Sequence, residues 1–162
     1  MKKNIVILSY SNGHPTGVVR YIKMLVKGLA MISDVNVHFI VLDTTILLTE
    51  INKENGIVTA KIPFPSDSRS LQKEQYWRAK YFNVITEILL PCFEGISHLI
   101  WHVNELVLCK LADLLKSALG GRILVHLHIT IAINGRANDI ANTFRIVLSM
   151  KNKLISFFCC YH

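Results

Sequence analysis

Two kinds of apolar pattern alternate along this chain. Ile5-Val6-Ile7-Leu8 is an unbroken apolar run, the pattern of a strand covered on both faces, as in a parallel sheet. A polar, glycine-containing turn follows, from Ser9 to Gly17. Val18, Ile22, Leu25, Leu29 and Ile32 then recur at spacings of three and four, with Arg20, Lys23 and Lys27 off that stripe, which predicts an amphipathic helix. Val35 to Leu42 predicts a second strand ending at Asp43, and a polar, less regular stretch runs through Asn52-Lys53-Glu54-Asn55-Gly56. Ile57 to Ile62 predicts a third strand, stopped by Pro63 and Pro65, since proline donates no ladder hydrogen bond. Ser66 to Arg69 is a turn or cap, and from about Ser70 to Leu90 a helical period returns through Trp77, Tyr81, Ile85, Ile88 and Leu89 until Pro91 ends it.

Ser97 to Val103 predicts a fourth strand, with Asn104 as N-cap of a helix over Glu105 to Leu119. That helix carries Leu108, Leu111, Ala112, Leu115 and Leu119 on one stripe, and Gly120-Gly121 stops it. Arg122 to Ile129 predicts a fifth strand, Ala137 to Met150 a last helix burying Ile140, Phe144, Val147 and Leu148, and Lys153 to Cys160 a sixth strand. Strands alternating with helices build a parallel sheet with helices on both faces. The expectation is an α/β, doubly wound, Rossmann-like sheet of about six strands, one domain over residues 1–162. In such a domain the turn after the first strand lies at the carboxyl edge of the sheet, where ligands bind. The helix N-terminus there favours phosphate or another anionic or hydroxyl-rich ligand.

Composition narrows the class. With 162 residues, 51% hydrophobic and 18% charged, the chain buries a core without staples. No apolar run reaches the ~18–20 residues of a membrane-spanning helix, and Lys2-Lys3 before a short apolar run is too brief for a secretory signal. A cytoplasmic protein is expected, with its four irregularly spaced cysteines as reduced core thiols. The net charge of +7 fits an anionic small substrate, an anionic membrane surface, or a plain surface excess. No run of five basic residues exists, which argues against nucleic acid as a partner.

Two readings of the first turn fail or fit weakly. Gly13 and Gly17, with Pro15 between them, do not make the G-x-G-x-x-G of a dinucleotide site, although Asp43 stands about where a ribose-binding acid would. No lysine follows Gly17, so a P-loop is excluded. His126 and His128 alternate and so share a strand face, but no third ligand stands at recognisable spacing and no metal site is expected. Adjacent Cys159 and Cys160 point to opposite faces of a strand and suit core packing.

Ser11-Asn12-Gly13-His14-Pro15-Thr16-Gly17-Val18-Val19-Arg20-Tyr21 resembles the first-strand loop of the retaining GT-B glycosyltransferases of family four. His98-Leu99-Ile100-Trp101-His102-Val103-Asn104 resembles the family's fourth-strand pattern, and Arg122-Ile123-Leu124-Val125-His126-Leu127-His128 its fifth strand, which ends in a histidine. The resemblance covers residues 4 to 160 and implies an N-terminal, acceptor-side domain. It implies that Gly13, Thr16, Gly17 and Arg20 line the donor phosphates or the acceptor. His128 would face the interdomain cleft as the catalytic histidine, and His102 and Glu105 would line the acceptor side. Each has a plainer role open to it: turn glycines needing positive φ, a strand-end histidine with a local hydrogen bond, and for His102 and Glu105 an ordinary place with no substrate contact.

The implied partners are a sugar acceptor, lipid-linked in many relatives, an anionic membrane surface at the inner face of the cell membrane, and a second GT-B half. No cofactor is implied; a nucleotide sugar would be the donor substrate. Arg69, Lys73, Arg78 and Lys80 lie among Tyr76, Trp77, Tyr81 and Phe82, which suits anionic headgroups as well as an ordinary helix with aromatics in the core. The chain departs from the family in having no pair of glutamates eight apart; Glu87 and Glu94 are seven apart and in the wrong half. The expectation is therefore an excised half, one chain of a two-chain enzyme, or a non-catalytic binding subunit, inactive alone. It also includes an exposed apolar patch along the carboxyl edge, where a second domain would dock.

Overall fold

The computed structural model describes residues 2–14, 17–64, 81–92, 98–105, 108–130 and 154–160. Its strands are β1 (Lys3–Ser11), β2 (Val35–Asp43), β3 (Glu50–Glu54), β4 (Ile57–Pro63), β5 (Leu99–Val103), β6 (Arg122–Thr130) and β7 (Leu154–Cys160). They form a seven-stranded sheet in the order β3-β4-β2-β1-β5-β6-β7. Every neighbouring pair from β4 to β7 is parallel. Counting only these six, the order is 3-2-1-4-5-6, the doubly wound arrangement in which chain direction across the sheet reverses between the first and fourth strands. Here that switch point lies between β1 and β5, where Asn4 pairs with Leu99 and Leu8 with Val103.

The pleat divides the core in two. Val6 and Leu8 of β1 join Ile40, Leu42, Trp101, Val103 and Val125 on one face. That face packs against helix α2 (Asn83–Leu89) through Ile85 and Leu89, and against α3 (Cys109–Leu119) through Leu111, Ala112 and Leu115. Ile5 and Ile7 point the other way, to helix α1 (Gly17–Ala30), whose Ile22 and Val26 are buried against Val37. Trp101 is fully buried, and its Nε1 donates to the Gly120 carbonyl at 2.9 Å. That bond ties β5 to the end of α3.

The structure revises several expected boundaries. The polar stretch before Gly56 is a strand, β3, antiparallel to β4; it is exposed along its whole length and so lacks the apolar alternation that marks a half-buried strand. Its signal is the turn: Asn55 at φ 51° and Gly56 at φ 77° are both left-handed, as a tight two-residue hairpin requires. The helix expected from Glu105 begins at Cys109, and its N-cap is Leu108 with no side-chain cap. Asn104 is not the cap; its amide turns to His102. Ile32, expected on the stripe of α1, lies beyond the helix and is half exposed, while Val26 takes a core place. A single 3-10 turn, Leu90–Cys92, follows α2, consistent with Pro91 breaking the α-helical ladder. Residues 65–80, with most of the basic-aromatic stretch, and the expected last helix at 137–150 lie outside the described residues.

Candidate functional site at the carboxyl edge

The switch point gathers most of the expected site residues at one edge. Gly13 follows β1, Gly17 opens α1, His102 and Asn104 end β5, and His128 is placed by the backbone near the carboxyl end of β6. Because β6 extends past β5, whose last partner is Val125, residues 126–130 project beyond the neighbouring strand. The β1 turn is held locally, with the Gly13 N–H donating to Ser11 Oγ at 3.3 Å and the His14 N–H to Asn12 Oδ1 at 3.2 Å. Gly13 is at φ +80°, and a Cβ there would come within 2.6 Å of Thr45 Cγ2. The positive φ favours glycine here, and a Cβ would also have to displace the Thr45 methyl of the loop after β2.

That loop is anchored by Asp43. Its Oδ1 accepts from the Thr45 N–H at 2.9 Å and the Thr45 hydroxyl at 2.7 Å. Burial pushes the Asp43 carboxyl up, but the Thr45 bonds, the Ser11 hydroxyl and the Lys61 charge outweigh it and hold the group below the usual carboxylate range. The acid expected on a ribose thus has one oxygen committed to its own turn. Beyond it, Leu47 is 92% and Leu48 79% exposed, an apolar pair leaving the carboxyl end of β2.

On the α1 side of the sheet lies a buried polar cluster. Tyr21, one turn into α1, shares a hydrogen bond with His126 Nδ1 at 3.1 Å, the two rings meeting edge to face at 5.1 Å. His126 in turn lies 5.8 Å from His102, edge to face. His102 Nδ1 is 3.3 Å from Asn104 Nδ2. His102, Asn104 and His126 are all buried. Asn104 Oδ1 is enclosed with no hydrogen-bond partner, an acceptor left open in a place where such groups are nearly always paired. Glu105, next along, is pushed up to about 7 by burial, so near neutral pH it holds or gives up a proton readily. Burial also raises the Tyr21 phenol.

Of the expected residues, the structure brings Gly13, Gly17, His102 and Glu105 to this edge. Arg20 is exposed on α1, and Thr16 lies outside the described residues. Tyr21, His126 and Asn104 are members that the sequence reading did not assign. Tyr21 closes the Gly-Val-Val-Arg-Tyr run and stands four residues after Gly17, one turn along the helix. That spacing was the available signal. No group of three His, Cys, Asp or Glu residues suited to a metal ion occurs among the described residues. Among the same residues, no helix is long and apolar enough to cross a membrane.

No family model and no curated protein matches the sequence. Solved structures do match the fold. The α,α-trehalose 6-phosphate synthase of Burkholderia multivorans aligns with a TM-score of 0.54 at 12% identity, over 94% of this chain and 38% of that one. The UDP-forming trehalose-phosphate synthase of Burkholderia xenovorans gives 0.55 at 13% identity, over 94% and 38%. An apo structure of OtsA gives 0.55 at 14%, over 93% and 39%. The chain thus spans less than two fifths of the length of these proteins. At such identities the likeness establishes the fold alone, a Rossmann-like α/β domain.

Proposed function

We propose that this chain is the acceptor-side half of a GT-B glycosyltransferase. In this reading a nucleotide-sugar donor is held by a second domain or partner chain, and the sugar passes to a glycolipid or polysaccharide acceptor bound across the β1/β5 switch point. The observation that carries the reading is the convergence there of the Gly13 turn, the Tyr21–His126–His102–Asn104 cluster and Glu105. A hydroxyl-rich ligand needs several neutral donors and acceptors held in fixed positions, and a protonatable group near its attacking oxygen. The open Asn104 Oδ1 suits a ligand hydroxyl as donor. Within the reading, Gly13, Thr16, Gly17, Arg20, His102 and Glu105 contact substrate and His128 is catalytic. The fold's likeness to trehalose-phosphate synthases supports sugar transfer as the chemistry, while the loop and strand motifs favour the family-four kind.

The groups that would stabilise the departing nucleotide belong to the other half, and leaving-group stabilisation is a dominant contribution to such transfer. The chain alone is therefore inactive. Leu47 and Leu48, exposed at the carboxyl edge, are where the second half would dock. The working location is the cytoplasm, at the inner face of the membrane where lipid-linked acceptors are presented.

A second reading is favoured by the 3-2-1-4-5-6 strand order and by Asp43 at the end of β2, the layout of a dinucleotide-binding domain. Two assays separate them. Incubated with radiolabelled UDP-glucose or GDP-mannose and a glycolipid extract, the purified chain transfers no sugar; adding a donor-binding GT-B half restores transfer, and His128→Ala abolishes it. Stabilisation of the chain by NAD in a thermal-shift experiment, lost in Asp43→Ala, would establish the dinucleotide reading instead.

A further inference from the structure

At the opposite edge of the sheet, where β1, β5 and β6 begin, an open concavity of about 440 Å³ is lined by Lys3, His98, Leu99, Ile100, Gly121 and Arg122. No carboxylate is among its described lining residues. The Lys61–Glu50 ion pair lies away from this edge, and among the described residues the side chains of Lys3, His98 and Arg122 make no hydrogen bond or ion pair. The acidic residue tied to this edge is Asp34, whose backbone carbonyl accepts from the Lys3 N–H at 2.8 Å. Three polar side chains, a lysine, a histidine and an arginine, therefore border one hollow.

The backbone is built to hold them there. His98 sits at φ +69°, a left-handed conformation that is strained for a non-glycine residue. Its carbonyl accepts from the Asn4 N–H at 3.2 Å, fixing the entry of β5 against β1. Gly121 is at φ +94°, and a Cβ there would lie 2.5 Å from the Leu99 carbonyl oxygen. Bare backbone at Gly121 thus forms the floor and lets the start of β6 close onto β5. Strain of this kind at a residue that lines a hollow points from geometry to binding.

We propose that this amino-edge concavity binds a small phosphate-bearing ligand, with Arg122 and Lys3 as its charged contacts and His98 between them. Arginine presents a planar fork suited to two phosphate oxygens, and lysine adds a mobile point charge. The volume lies within the ~300–1,000 Å³ of small-molecule sites, so a phosphorylated metabolite fits as well as a bare ion. The site is remote from the carboxyl edge and independent of the glycosyltransferase reading.

The test is a titration of the full, 15N-labelled chain with inorganic pyrophosphate at constant ionic strength, using sodium chloride as the matched control. Saturable shifts confined to the amides of Lys3, His98, Gly121 and Arg122 are expected. Arg122→Ala and Lys3→Ala should each weaken binding about tenfold, as loss of one charge-assisted contact does, and Arg122→Lys should restore part of it. His98→Gly should raise the melting temperature by relieving the backbone and weaken binding as well; if its strain were only structural, binding would not change. Shifts that never saturate, that spread equally over Lys23 and Lys27 of α1, or that survive in the Lys3→Ala/Arg122→Ala double variant would overturn the proposal.

Discussion

His38 and Glu105 make the stability of this protein depend on pH in opposite directions. His38 is buried beside Asn4, with its Nε2 3.4 Å from Asn4 Oδ1. Burial, with the Lys53 charge behind it, lowers its pKa from 6.5 to about 4. A depressed folded value means that the unfolded chain takes up the proton first, so the contribution is whole above pH 6.5 and is lost as pH falls toward 4. The full shift corresponds to at most ~3 kcal/mol. Because the two effects oppose each other over the same interval, urea midpoints at pH 7 and pH 4.5 should differ markedly in Glu105→Gln, where only His38 acts, and much less in the His38→Leu/Glu105→Gln double variant. Glu105 runs the other way. Its pKa is raised to about 7, so its contribution is whole below about 4.5, the ordinary glutamate value, and is lost as pH rises through 7. Glu105→Gln should accordingly stabilise the chain at pH 8 and leave it nearly unchanged at pH 4.5, a contrast that thermal unfolding at the two values reads directly.

Two glycines should differ in cost for a stated reason. Gly121→Ala meets a backbone carbonyl oxygen, which cannot move without shifting β5, whereas Gly13→Ala meets only the methyl of Thr45. Both suffer the positive-φ penalty of about 1–2 kcal/mol, so Gly121→Ala should be the more destabilising by denaturant titration. Equal losses would show that the contact at Leu99 relaxes freely.

Among the elements, what the sequence made legible followed from burial. The strands β1, β2, β4 and β5 announce themselves because one face of each is buried and the other is largely covered as well, and α1 and α3 because one face is buried. β3 was hidden for the same physical reason: a fully exposed edge strand has no apolar pattern, and only the Asn55-Gly56 turn betrays it. Gly56 has open space around its Cβ position, so Gly56→Ala should cost only the conformational term, about 1 kcal/mol, and Ile51→Lys on the exposed strand should lie within ~0.5 kcal/mol of the parent. Trp101→Phe is the contrasting case, losing the part-buried hydrogen bond to the Gly120 carbonyl and leaving a void around a fully buried side chain, at about 2 kcal/mol. The start of α3 was misplaced because Asn104 looks like a cap in isolation. Only the adjacency of β5 and β6 shows that its side chain belongs to the histidine cluster, and sequence spacing carries no information on that adjacency.

For the whole molecule, the parallel strand order brings residues distant in the chain to one edge, Tyr21 and His126 being 105 positions apart. The glycine turn and the histidine strands could be picked out in the sequence as separate motifs; their meeting through Tyr21 could not. The proposed role of this edge is to receive a sugar. Its most direct test is to titrate the 15N-labelled chain with trehalose 6-phosphate, glucose 6-phosphate and an alkyl glycoside, and to map the amides that move. The account predicts saturable shifts at Gly13, Tyr21, Asn104, Glu105 and His126 with at least one of these sugars, lost in Asn104→Ala while the chain stays folded. If none of the sugars moves those amides, and NAD moves the Gly13 turn and Asp43 instead, the claim is wrong.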